Sequence, residues 1–217
     1  MTGWRRTALL ACAAFLVSCA IGYGGILSHA YPGDVLEPYA KYGRALVNDG
    51  RVPYRDFYDE YPPGSVPVFA APALLWDAHY VLVFKLMMVL CGLGFITCAA
   101  WIAARLRLSA LRLAPAVLAP ALMGPVFLNR YDPLAALLAS LSLVLVLQAR
   151  ERSAGALLGI ATAVKVYPIV TLPLAWRRLR RPRDAAVGFA VAASILVLPF
   201  LGLLAYFLWD ASRTRPA

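Results

Sequence analysis

Residues 80–104 carry Lys85 as their single charged side chain, and residues 185–209 carry none. A helix of about 20 mostly apolar residues crosses the hydrocarbon core of a bilayer. Backbone amides at that depth have no water to bond and must be satisfied within the helix. These two runs commit the chain to membrane helices before any other feature is weighed. Composition agrees: 62% of the residues are hydrophobic, 15% are charged, and the mean hydropathy is +0.71. A soluble domain is about half apolar and about a quarter charged, so soluble enzyme folds and disorder are excluded. The class expected is all-α, a polytopic integral membrane helical bundle forming one transmembrane domain over residues 1–217.

The formal charge of +10 would suggest nucleic acid in a soluble chain. Here the basic residues fall in short clusters between apolar runs, at Arg5-Arg6, at Arg105, Arg107 and Arg112, at Arg150 and Arg152, and through 177–183. Cytoplasmic loops of membrane proteins are marked in this way, so no nucleic-acid partner is expected and membrane lipids are. The four cysteines, Cys12, Cys19, Cys91 and Cys98, lie inside apolar runs and read as small buried side chains. Leu16-Val17-Ser18-Cys19 resembles a lipoprotein cleavage box, yet the apolar run continues past it to about Leu27, which favours an uncleaved first helix.

With charge fixing the sides, spans are expected at about 7–28, 80–104, 113–128, 133–148 and 185–209. The N-terminus is then cytoplasmic and the main loop, 29–64, extracytoplasmic in the cell membrane. Residues 65–76 are apolar but too short to cross. Residues 154–176 are long enough for one crossing, but that would carry the five arginines of 177–183 outside. Lys165-Val166-Tyr167-Pro168 interrupts the segment, and proline disfavours helix at the residue before it. The charge rule therefore favours a re-entrant hairpin, with arms of about 15 Å at 1.5 Å per residue; a single span is the alternative. A lysine at that depth must be buried in protein or line a watery cavity.

The loop holds most of the polar chemistry. Asp34 with Glu37 has the capping-box form, and Val35, Leu36, Tyr39, Tyr42, Leu46 and Val47 space one apolar stripe on a helix ending near Gly50. Asp34 is then either a helix cap or a carboxylate held just above the membrane. The stretch from Asp59 to Gly64 is a rigid interfacial loop or, functionally, makes Glu60 and Tyr61 part of a polar cavity wall. Asp132-Pro133 suits a helix start, and Arg130 suits a pair with Asp132 or with lipid phosphate. Arg130 and Lys165 are the cations best placed to meet a substrate phosphate. Lys85 reads as a snorkelling side chain. His29 and His79 have no ligand-type partners at metal spacing, so no metal is expected.

Gly50-Arg51-Val52-Pro53-Tyr54-Arg55-Asp56-Phe57 and Glu60-Tyr61-Pro62-Pro63-Gly64, after a loop with an early aspartate, resemble the start of glycosyltransferase family 87. Asn129-Arg130-Tyr131-Asp132-Pro133 and the stretch from Gly155 to Pro168 are similar to the family's inner motifs. The resemblance implies a membrane-embedded GT-C enzyme of the mannosyltransferase kind. Such an enzyme takes a sugar, mannose being the one implied, from a polyprenyl-phosphate carrier. It passes the sugar to a hydroxyl of a lipid or glycan acceptor on the outer face, with inversion. Asp34 matches the family's base. Arg130, Lys165, Glu60, Tyr61, Tyr131, Asp132 and Tyr167 are the candidates for binding substrate, and a transfer of this kind needs no redox cofactor. Family members are usually longer, which implies a shortened chain, with a partner chain supplying further helices, or an inactive remnant. A non-enzymatic transporter subunit or assembly partner is the alternative to the enzyme.

Overall fold

The computed structural model describes residues 3–23 and 33–213. Among them the regular elements are helical, and Pro53 with Phe57 makes an isolated bridge. The all-α membrane bundle expected from composition is the fold observed. Among the described residues, three stretches are long and apolar enough to cross a membrane: Gly3–Tyr23, Pro63–Arg105 and Pro182–Asp210. Residues 24–28 of the first expected span and His29 lie outside the described residues.

Helix α1 (Gly3–Tyr23) packs antiparallel to α4 (Tyr80–Arg105). The fully buried Phe15 fills the space over Gly92, where a Cβ would stand 2.3 Å from its ring. Helix α5 (Ala114–Met123) lies parallel to α1. Ser18 Oγ accepts the Ala121 N–H at 3.0 Å, and Tyr23 donates its hydroxyl to the Pro125 carbonyl at 2.6 Å. Helix α6 (Asp132–Leu147) follows α4 in the same direction, Leu137 resting on Gly94. The chain then turns back into α7 (Glu151–Val164), where Ser142 Oγ of α6 donates to the Ala154 carbonyl at 2.8 Å.

The reversal after α7 decides where the charges go. Lys165 is extended (φ −154, ψ 136) and ends the helix. A 3-10 turn, Tyr167–Thr171, leads into the short α8 (Leu172–Trp176), which returns alongside α7. Ala175 packs against Ala154 and Val146, and the Arg180 N–H is bonded to Glu151 Oε1. Arg177 to Arg183 thus sit at the same end as Arg150 and Arg152. From there α9 (Pro182–Arg213) runs parallel to α7. The two approach closely because three glycines leave room: a Cβ on Gly155 would meet the Ala185 carbonyl oxygen at 1.9 Å, one on Gly188 the Arg152 oxygen at 2.1 Å, and one on Gly159 the Phe189 oxygen at 2.6 Å. Small residues serve this purpose in membrane bundles, where close backbone packing replaces the hydrophobic effect between helices.

The polar loop departs from the helix expected to begin at Asp34. A 3-10 turn, Gly33–Val35, gives way to Leu36–Ala40, within which Glu37 is non-helical (φ −135, ψ 118). Pro38 is the cause, since its ring disfavours helix at the residue before it. Regular helix starts only at α2 (Lys41–Val47). Asp34 therefore does not cap a continuous helix, and Leu36 of the expected stripe is 43% exposed. Helix α3 (Val66–Trp76) packs across α2 at Gly43, and Trp76 (φ −166, ψ 80) breaks it from α4.

The α7–α9 seam yields a test. Gly155→Ala forces two backbones apart and should destabilise the bundle by about 1–3 kcal/mol, the usual cost of overpacking. Gly202→Ala, where a Cβ would meet nothing within 4 Å, should leave stability unchanged. Thermal unfolding of the detergent-solubilised protein reads the difference.

Candidate active site

Opposite the arginine-rich end, four segments bring aromatic side chains together. Tyr39, fully buried, stacks on Phe69 of α3 with ring centroids 4.5 Å apart and 10° between planes. It meets Tyr61 edge-on at 5.3 Å and Tyr131 at 5.6 Å. Tyr61 also touches Phe69 at 5.4 Å and Tyr131 at 5.8 Å. Each pair of this kind adds about 0.5–1.5 kcal/mol beyond the area it buries. Together they tie the 33–47 segment, the 54–64 loop, α3 and the start of α6 into one unit.

The charged part of the site lies beside Tyr131. The Lys165 ammonium sits over the Tyr131 ring, 4.7 Å from its centroid, and donates to Asp132 Oδ2 at 2.7 Å. The break that ends α7 is what places Lys165 there. Tyr167, two residues on, donates its hydroxyl to the Asp132 backbone carbonyl at 3.2 Å. The side chains of Lys165 and Asp132 are 27% and 45% exposed, so the pair itself contributes at most about 1 kcal/mol to stability. Its importance is placement: a cation is held at one point, open on one side to a ligand.

Of the residues expected at a site, Tyr61, Tyr131, Asp132, Lys165 and Tyr167 are brought together. Arg130 stands in the preceding turn with its side chain exposed, next to the buried Asn129, whose Oδ1 accepts the Tyr23 hydroxyl at 3.0 Å. Glu60 faces outward and is exposed. The backbone of Asp34 belongs to the Gly33–Val35 turn, and its side chain lies outside the described residues. Lys85 is half-buried over the ring of Tyr23, 4.8 Å from its centroid, and His79 lies against Trp76 at 3.9 Å.

The carboxylate that the sequence did not single out is Asp59. It is 3% exposed; Oδ1 accepts the Tyr61 N–H at 2.9 Å, and Oδ2 has no hydrogen-bond partner among the described residues. Burial raises its pKa to about 6, opposed by the Tyr61 hydrogen bond. Asp56, three residues earlier, behaves oppositely. It is exposed, bonded by Arg55 and by the Val52 N–H, and falls to about 2. Two aspartates of one motif are thus set apart by whether the chain folds over them. Sequence carried one hint, an acidic pair at Asp59-Glu60 ahead of two prolines, but not which of the two is covered.

The sign of the resulting pH dependence follows from linkage. The folded state favours the neutral carboxyl of Asp59, so its contribution is fully present below the unfolded value near 3.8 and is lost as pH rises through about 6. Stability measured by denaturant titration should fall between about pH 4 and 6, and Asp59→Asn should flatten that slope. A slope unchanged in the variant would remove Asp59 as its source.

The comparisons with known proteins bear on residues downstream of this carboxylate. The model of glycosyltransferase family 87 matches residues 60–213, from Glu60 through the Lys165 break to the end of α9. Asp34 and the 50–57 motif precede the matched stretch. No curated protein and no solved structure matches the chain. With most of its length matched, and with the apolar helices that such an enzyme needs, the chain belongs to glycosyltransferase family 87, a family of membrane glycosyltransferases that use a lipid-linked sugar donor and an acceptor.

Proposed function

We propose that the chain transfers a hexose, mannose by family resemblance, from a polyprenyl-phosphate carrier to an acceptor hydroxyl at the outer membrane face. The observation that carries the reading is Lys165, held between Tyr131 and Asp132 at the point where α7 breaks. An ammonium has three N–H donors, and Asp132 takes one of them in the structure. The others are available to the phosphate of a donor lipid lying along the bundle.

In the reaction the acceptor oxygen attacks the anomeric carbon and the bond from that carbon to the phosphate oxygen breaks. The sugar inverts, and the carrier phosphate leaves with the electron pair. The acceptor proton passes to Asp34, the position that matches the family's base. Negative charge grows on the departing phosphate, and preorganised cations lower the barrier most when they face such growing charge. Lys165 serves this purpose, with Arg130 from the adjoining turn. Glu60, Tyr61, Tyr131 and Tyr167 line the path of the sugar and acceptor.

Sugar transfer from a radiolabelled polyprenyl-phosphate hexose in membranes tests the scheme. Loss of a positioned base costs about 10²–10⁴-fold, so Asp34→Asn should abolish measurable turnover while leaving donor binding. Lys165→Met should weaken both. Undiminished transfer by Asp34→Asn would sink the assignment of the base.

A further inference from the structure

We propose that Asp59 is a positioning residue for the transfer reaction, holding Tyr61 as the wedge between the outer-loop helix and the Lys165–Asp132 pair. The proposal rests on the transferase reading above and adds to it a residue that acts without touching substrate.

The peptide of Tyr61 is gripped from both sides by its own loop. Asp59 Oδ1 accepts its N–H at 2.9 Å, and the buried Tyr54 donates its hydroxyl to its carbonyl. Pro62 and Pro63 follow, and they stiffen the strap by fixing φ. The strap ends at Gly64, which lies so close under the end of α7 that a Cβ would stand 2.6 Å from the Ala163 carbonyl and the Val164 nitrogen. Val164 immediately precedes Lys165. A rigid segment thus connects the aromatic cluster to the helix end that carries the cation. Tyr61 reaches from this strap to Tyr39 on one side and Tyr131 on the other, and Tyr131 is the ring on which the Lys165 ammonium rests. Release of the Tyr61 peptide would let both contacts slacken, and with them the position of Lys165.

A carboxyl is a costly choice for this task, because one buried oxygen goes without a partner among the described residues. Asparagine would accept the same N–H without ever becoming charged. The aspartate adds responsiveness. Tyr42, Tyr54 and Tyr131 face it, with Tyr58 and Glu60 from its own segment and the Lys165–Asp132 pair beyond Tyr131. Burial holds the hydroxyls of Tyr42, Tyr54 and Tyr131 above their ordinary pKa, so they stay neutral while Asp59 titrates near 6. Ionisation leaves a buried charge that the neutral tyrosines oppose weakly. It strengthens the Tyr61 hydrogen bond but leaves a charge in a site that excludes water, so the covered loop is favoured in mildly acidic surroundings and opens more readily above them.

The experiment compares wild type, Asp59→Asn and Asp59→Ala in two assays across pH 5 to 7.5. In sugar transfer, Asp59→Ala should lose at least tenfold in kcat. Asp59→Asn should restore most of the rate and flatten the limb near pH 6 that wild type shows. In limited trypsin digestion, with rates at each pH divided by those for an unstructured reference peptide, cleavage after the exposed Arg51 and Arg55 should be faster in Asp59→Ala at every pH, accelerate in wild type as pH rises, and stay slow in Asp59→Asn. Equal loss of transfer in both variants would mean that the carboxylate meets substrate directly, and would overturn the positioning role. Digestion that is the same in all three would overturn it too. If wild type transfers no sugar, the transferase reading fails, while the digestion pattern still decides whether Asp59 clamps Tyr61.

Discussion

Backbone groups in an apolar chain must find partners inside the protein, and the candidate site is arranged around a place where a packed apolar helix gives them up. At Lys165 the chain leaves helical geometry and reverses. In a chain of membrane helices such a break needs protein or water beside it to satisfy the freed backbone groups. Here the strap at Gly64, the start of α6 at Asp132 and the turn of Tyr167 meet it on one side and leave the other open. The tight α7–α9 seam holds the broken helix in place. Without those glycines α7 would stand off from α9, and the break would lose part of its shelter.

The same reversal couples fold to charge. By returning α8 along α7, the chain keeps Arg177 to Arg183 with Arg150 and Arg152 and leaves Lys165 at the opposite end of α7. A segment with a single crossing would have separated the arginine groups. The cation at the break is therefore set apart from every arginine cluster, among aromatic rings and beside one carboxylate.

Much of this was legible in the sequence because the signals are local. The apolar runs dictate helices, and their length dictates the membrane. The interruption at Lys165-Val166-Tyr167-Pro168 stands out against an otherwise helical pattern. Of the motifs that carry the family resemblance, those from Glu60 to Gly64, from Asn129 to Pro133 and from Gly155 to Pro168 fall within the family match, while Asp34 and the stretch from Gly50 to Phe57 precede it. The outer helix was misread for an equally local reason. Its apolar spacing and capping-box form outweighed Pro38, although the proline's effect on Glu37 decides where regular helix begins.

Sequence by itself determined the class of the fold, the membrane as its solvent and the family, since each follows from composition, period or motif order along the chain. Tertiary structure alone decided which acidic side chain is covered. Asp56 and Asp59 are three residues apart and chemically identical. Only the folding of the loop over Tyr54, Tyr61 and Tyr131 buries one and leaves the other in water. Burial depends on neighbours from distant segments, and those neighbours are chosen by packing rather than by adjacency in the chain.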